Sequence, residues 1–421
     1  MGGEEASPLA RTVARAGRGR ATGLLVALRF GYAYNWFDIG PALPRIGATF
    51  GVGPAAWGLL VAGFLVGAGA TQVPAGFLAR RFGERPVSLG GAGLLAVAAL
   101  ASAVAPTYPL LLAARLVAGV GAGLFFSPAI GWVGRLFGPG ERGVPVGTFS
   151  SAFSAGAAAG VFGSALLVPA VGWSEAIALG AVGLGLTTVL AVVAIPASAG
   201  GRRRAGPHPA GAAASSGAWH GRSVLAIGFG FVGFEGAAFA TGQFVVPFGE
   251  AVHLWPAWLA GAVGIAFVLP SVVGGPVGGV VAERSMRHRT QLVGITVLGA
   301  AALAALPLAG VAAAVLVGSV FSFAYGFAYA VMYVLPHYWT ELAAGEIPLA
   351  IGLFNALQLG GGALVSALFG VIVARRSYAV GWEFVALVQV VALLALLAMR
   401  PTPGAGPPAA AGPGRPAAPA P

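Results

Sequence analysis

Four side chains stand where charge is costly. Arg29, Asp38, Arg115 and Glu235 each lie inside a run of apolar residues. A charged group at mid-bilayer costs at least ~2.5–3.5 kcal/mol, so such residues face a bundle interior or a pathway and tend to pair there. Asp38 is the only aspartate in the chain and stands shortly before Pro44. Gly31, Asn35, Asp38 and Ala42 share one helical face, small and polar, of the kind that lines a cavity. Arg115 enters its own run from the same side, which places it at the depth of Asp38. An aspartate held between burial, which disfavours its charge, and a guanidinium, which favours it, suits proton coupling. A static Arg–Asp pair locking two helices is the plainer alternative. Glu235, with no partner near it in sequence, is a second candidate proton site, or a hydrogen-bonded carboxyl joining helices. Arg29 precedes Asp38 by half a turn of rotation and about 13 Å of rise, so the two do not pair. Arg29 either snorkels to the interface, the simpler account, or attracts an anionic substrate.

Other polar groups in the apolar runs belong with these. Tyr32, Asn35, Gln243, Tyr325, Tyr329, Asn355 and Gln358, with Arg29, form the expected substrate cavity. Tyr325, Tyr329 and Tyr333 recur at i+4, either as cavity hydroxyls or, more simply, as an aromatic packing stripe. Asn355 and Gln358 share a helix face and either meet substrate or bridge helices. There are no cysteines, which excludes disulfides, thiolate metal sites and a Cys nucleophile. The histidines (208, 220, 253, 288 and 337) have no metal-ligand spacing. With no nucleophile–base pair either, the expectation is no enzyme, no catalytic residue, no metal and no cofactor.

These residues are carried by a membrane protein. The 421-residue chain is 58% hydrophobic and 8% charged, against about 25% charged in soluble proteins, with mean hydropathy +0.88. A first apolar run reaches to about Ile46, and eleven more start near 56, 86, 109, 144, 173, 223, 256, 290, 311, 348 and 381. Each spans a hydrocarbon core of about 30 Å as a helix. The expected fold is all-α, twelve transmembrane helices in two six-helix bundles. The expected divisions are an N-terminal segment (1–22), the first bundle (23–196), a Gly/Pro/Arg-rich linker (197–221), the second bundle (222–400) and a disordered Pro/Ala/Gly tail (401–421). All 23 basic residues are arginine, and the net charge is +11. That charge could suggest nucleic acid, but the placement of the arginines favours topology. Most flank the side that carries the termini, while Arg45, Arg375 and Arg376 lie opposite. The positive-inside rule puts both termini in the cytoplasm, with the chain in the cytoplasmic membrane; Arg375-Arg376 stands against the pattern.

The halves are related. Gly76-Phe77-Leu78-Ala79-Arg80-Arg81-Phe82-Gly83-Glu84-Arg85 returns 203 positions on as Gly279 to Arg289. Pro44 and Pro247 share that offset, and Gly172-Trp173 is echoed at Gly381-Trp382. Each half crosses the membrane an even number of times, so this is a parallel repeat, a transporter plan.

On these residues, over about 23–400, the sequence resembles the major facilitator superfamily. Its loop between helices 2 and 3 reads Gly-x-x-x-Asp-Arg-x-Gly-Arg-Arg. Gly76, Arg81, Gly83 and Arg85 match; Arg80 replaces the acid, and Glu84 stands where a base is usual. In the second copy Gly279, Glu283 and Arg284 follow the pattern, so the resemblance implies that the cytoplasmic charge cluster survives there alone. Arg115-x-x-x-Gly119-x-Gly121-x-Gly123 is similar to the family's helix-4 motif, whose Arg is linked to proton transfer. Gly156-x-x-x-Gly160 is followed by Val161 rather than proline, which weighs against the drug/proton antiporter branch. The resemblance implies two bundles rocking about a central cavity. The expected function is proton-coupled secondary transport of a small organic solute by a monomer in the bilayer. The alternatives are uptake or exchange of a small anion, or a non-transporting membrane sensor.

Overall fold

A computed structural model describes residues 8–137, 141, 143–196, 222–285, 287–335 and 347–399. The expected linker (197–221) and tail (401–421), with His208, His220 and His337, lie outside these residues. Among the described residues all regular structure is helical. The first half comprises α1 (Pro8–Phe37), α2 (Ile39–Phe50), α3 (Pro54–Phe82), α4 (Glu84–Ala103), α5 (Tyr108–Arg135), α6 (Gly143–Val171) and α7 (Trp173–Ala194). The second comprises α8 (Arg222–Val252), α9 (Ala257–Ala266), α10 (Ser271–Arg284), α11 (His288–Ala305), α12 (Val311–Val334), α13 (Ile347–Arg375) and α14 (Tyr378–Leu397).

Among the described residues fourteen helices make twelve crossings, because two of the crossings are broken. α9 and α10 are one crossing interrupted before Ser271. Pro270 there has no N–H to continue the ladder. α1 and α2 are one crossing interrupted at Asp38, a turn before Pro41, whose missing N–H leaves the Phe37 carbonyl without its helical donor. Eleven spans among the described residues are long and apolar enough to cross a membrane. The first crossing, with its break and its buried Arg29 and Asp38, completes the set. α1 begins at Pro8, so the helix extends well before the apolar run, with Gly17, Gly19 and Arg20 exposed.

The halves meet closely at the end away from the termini. A Cβ added at Gly40 would lie 2.8 Å from the Gln243 carbonyl, at Gly58 2.6 Å from that of Ser366, and at Gly261 2.6 Å from Ala165. Only glycine permits these approaches. Toward the termini, Gly76, Gly147 and Gly279 have open space around them. The bundle is shut at its distal end.

The repeated Gly-Trp does not mark equivalent positions. Gly172, at φ 99°, starts α7 and turns the chain; Gly381 lies inside α14 and its Trp382 is fully buried. The helix begins earlier there because the Ser377 hydroxyl caps it by accepting from the Val380 N–H.

The two loops also differ from expectation. Gly83 takes φ 94°, a conformation glycine favours, between α3 and α4. Glu84 then opens α4, turns inward and pairs with Arg135 in the last turn of α5. Arg85 caps the end of α7, donating to the carbonyls of Val192 (2.7 Å) and Ile195 (3.0 Å). Arg81 lies exposed beside Phe82. In the second copy Glu283 and Arg284 are exposed and make no ion pair among the described residues. The charge cluster therefore survives in the first copy, with the acid displaced to Glu84, and not in the second alone.

Candidate functional site

The break in the first crossing is the centre of a polar node. Arg115 Nη1 on α5 donates to the Asn35 carbonyl (3.2 Å). Gln243 Nε2 on α8 donates to the Trp36 carbonyl (2.7 Å). Ser164 Oγ on α6 donates to the Asp38 carbonyl (2.5 Å). Asn35 Nδ2 donates to the Gly31 and Gly180 carbonyls (2.8 and 3.1 Å), which ties α1 to α7. Buried backbone acceptors need donors, and here side chains of three other helices supply them. The Gln243 bond joins the two halves.

Asp38 is 1% exposed, and its carboxylate bonds to no other side chain among the described residues; the donors near it are the backbone N–H groups of Asp38 and Ile39. Arg115, also 1% exposed, is its charge neighbour but makes no ion pair with it. The guanidinium packs instead over Phe64, 4.6 Å from the ring centroid, and its Nε has no acceptor. The expected depth match holds; the direct pair is not made, because the broken helix draws Arg115 to its own carbonyl.

A second polar level lies about two turns nearer the termini. Arg29 is 8% exposed and does not snorkel. Its guanidinium lies 4.2 Å from the ring centroid of Phe126, 4.6 Å from those of Tyr32 and Phe153, and 5.6 Å from that of Phe149. Across the seam, Tyr325 and Tyr329 of α12 are within its electrostatic reach. Glu235 on α8 is 5% exposed and accepts a hydrogen bond from Tyr325 Oη (2.8 Å). The phenols continue as a ladder. Tyr329 Oη donates to Tyr333 Oη (3.4 Å), and Tyr333 donates to Asn355 Oδ1, with neighbouring ring centroids 5.8 and 4.6 Å apart. The i+4 stripe is thus a packed stack and a polar wall at once. Gln358 is buried close to Tyr329 and Tyr333.

Aromatic rings separate the two levels. Trp36 packs on Phe239 (5.4 Å), Phe37 stacks on Phe239 (5.9 Å, 6° between planes), and Phe153 meets both Trp36 and Phe37. The interstice beside this seal, lined by Trp36, Phe64, Arg115, Phe239 and Gln243, has no room for a water molecule.

The sequence profile of the Major Facilitator Superfamily matches residues 25–366. The chain belongs to that family. Members are membrane transporters rather than enzymes. An uncharacterized MFS-type transporter of Mycobacterium tuberculosis is 31% identical over 37% of this chain and 27% of its own length. The methylenomycin A resistance protein of Streptomyces coelicolor is 34% identical over 30% of this chain and 28% of its own. The matches thus span only about a quarter of these relatives' lengths. A bacterial homolog of the human lysosomal transporter Spinster, solved in an inward-facing, unoccupied conformation, superposes with TM-score 0.74 at 15% identity, covering 92% of this chain and 98% of that one.

In this superfamily member the helix-4 glycines are packing positions. Gly119 and Gly123 face the backbone of α3, and Gly121 that of α4. Gly156 and Gly160 likewise seat α6 on α1, against Phe30 and Tyr34. The rings around Arg29 carry no motif, and neither does Ser164. Only the positions of Phe149 and Phe153, one helical turn apart, hint that both reach the same neighbour.

Proposed function

We propose that the chain is a secondary active transporter that moves a small organic solute across the cytoplasmic membrane by alternating access, coupled to protons. The supporting observation is a buried carboxyl in each half, Asp38 and Glu235, beside a seam that is shut at one end. A carboxyl sealed from water releases or takes up a proton when the halves rock and solvent reaches it. With the arginine-rich face toward the cytoplasm, the shut end is the outer one and the conformation is inward-facing. One chain supplies every group of the site, so a monomer suffices. The Glu84–Arg135 pair and Arg85 brace the cytoplasmic end of the first half, holding α4 to α5 and α7 during this motion.

Cargo is found with a thermal-shift panel on detergent-purified protein, because a ligand of the folded form raises Tm by mass action. The cargo is then added to proteoliposomes loaded with a pH-sensitive dye. Cargo-driven proton movement is expected in the wild type and none in Asp38→Asn, while cargo exchange persists. Cargo flux without proton movement in the wild type would remove the coupling. Binding without any flux would make the protein a sensor. A second reading, movement of a small anion with an arginine as counter-charge, is favoured by one observation: Arg29 Nε and Nη1 have no acceptor.

A further inference from the structure

We propose that Arg29 is the seat for a carboxylate of the cargo, and that the cargo is a small monocarboxylate with a flat apolar body, of the benzoate class. This rests on the transporter reading and deepens it.

A guanidinium has five N–H donors in a fixed fork that fits a carboxylate bidentately. Arg29 lies among rings from three helices, Tyr32 of α1, Phe126 of α5, and Phe149 and Phe153 of α6. Those rings position the cation, and of them only Tyr32, through its hydroxyl, is a hydrogen-bond partner. Nε and Nη1 are buried without an acceptor, and no carboxylate lies within ion-pair distance among the described residues. A buried donor is normally satisfied. Two donors of one cation remain open beside its bond to Tyr32, one on either edge of the guanidinium, and a carboxylate of the cargo would fill one of them.

Arg115 is not the equivalent. Its Nη1 is spent on the Asn35 carbonyl, Asp38 is its charge neighbour, and the Trp36–Phe239 seal lies between it and Arg29. The body of the cargo follows from the walls. Around Arg29 they are phenyl and phenol rings, and a polyhydroxylated solute would leave its hydroxyls without partners there. The charge count follows from the opposite wall. Tyr325 and Tyr329 lie within electrostatic reach of Arg29, and Glu235, bonded to Tyr325, within reach of Tyr32, so a second carboxylate directed that way would meet an acidic group, whereas a hydroxyl would find an acceptor.

Full-length protein is titrated with benzoate, acetate, benzyl alcohol and terephthalate while Tm is followed at constant ionic strength. Benzoate is expected to raise Tm saturably. Acetate, benzyl alcohol and terephthalate should each require at least tenfold more ligand. In Arg29→Gln the benzoate Kd should weaken at least tenfold, and in Arg29→Lys by less. Arg376→Gln, an exposed charge far from the seat, should leave it unchanged. A benzoate shift that survives Arg29→Gln overturns the seat, as does equal stabilisation by acetate or benzyl alcohol, or none by benzoate. Should Arg29→Gln not fold, the wild-type ranking of the four probes still decides. Radiolabelled benzoate in proteoliposomes separates the two readings. Arg29-dependent binding without flux sinks transport and keeps the seat. Flux of another solute unaffected by Arg29→Gln sinks the seat and keeps transport.

Discussion

Asp38 and Glu235 are both buried carboxyls on crossings that begin a half, yet their surroundings are opposite. Asp38 sits at a helix break where other helices serve the Asn35, Trp36 and Asp38 carbonyls, while its own carboxyl is bonded to no other side chain. Glu235 sits in the unbroken α8 and is held by the first rung of a phenol ladder. A fixed hydrogen bond stabilises one arrangement of a carboxyl. A carboxyl without one is free to change partner when the halves move. On the proposed transport reading, the contrast favours Asp38 for coupling and gives Glu235 a positioning role on the cargo wall.

Exchanging each acid for its amide tests that assignment most severely. A one-to-one proton-coupled carrier gathers cargo up to about tenfold per unit of pH gradient. Asp38→Asn should remove this accumulation entirely in proteoliposomes. Glu235→Gln should retain it and slow the flux by roughly threefold to tenfold, the range of one lost polar contact. Accumulation that vanishes in Glu235→Gln and survives in Asp38→Asn would reverse the roles.

The next effect concerns access. Asp38 lies on the shut side of the aromatic seal and Glu235 on the other, so wedging the distal seam should expose only the first. Gly40→Val would push a side chain against the Gln243 backbone. Overpacking of this kind costs about 1–3 kcal/mol, a shift of roughly 5–150-fold between two states. The chain has no cysteine, so spin labels on Arg45→Cys and Leu254→Cys, exposed on opposite halves at that end, report the seam alone. Longer label distances are expected in Gly40→Val. Unchanged distances would mean that this seam is not the gate.

Much of this frame was legible beforehand. Twelve crossings, their repeat and the depth match of Asp38 with Arg115 follow from apolar run lengths and arginine placement. What those signals lack is direction around a helix relative to its neighbours. Pro41 marks a weak point in the first crossing, but nothing in sequence says that Arg115, Ser164 and Gln243 converge on it. The tyrosine stripe reads as a face, while its junction with Glu235 joins residues on α8 and α12. Arg29 reads as a snorkelling residue because its four rings come from three separate helices. Glu84 stands four positions after the expected acid, at Arg80, and only the turn at Gly83 shows that it reaches Arg135.

A smaller effect separates the ladder from simple packing. Tyr325→Phe keeps the ring and removes the hydroxyl that holds Glu235. One hydrogen bond to an ionisable group contributes about 1.5–3 kcal/mol. If the ladder positions Glu235 for cargo, cargo affinity should fall about tenfold or more while accumulation per pH unit is kept. A change in Tm with unaltered affinity would reduce the ladder to scaffolding.

The smallest effect is expected at Ser164→Ala, which takes one donor from the Asp38 carbonyl and leaves its carboxyl untouched. A neutral hydrogen bond contributes about 0.5–1.5 kcal/mol. The broken crossing keeps its ties to Arg115 and Gln243, so Tm should drop slightly and accumulation should persist. The value of this variant is its contrast with Asp38→Asn, two changes at one residue's main chain and side chain. If Ser164→Ala uncouples as completely as Asp38→Asn, the geometry of the break matters more than the proton on the carboxyl. Asp38 would then resemble Glu235, a positioned group, and coupling would have to reside in the motion of α2 against α8.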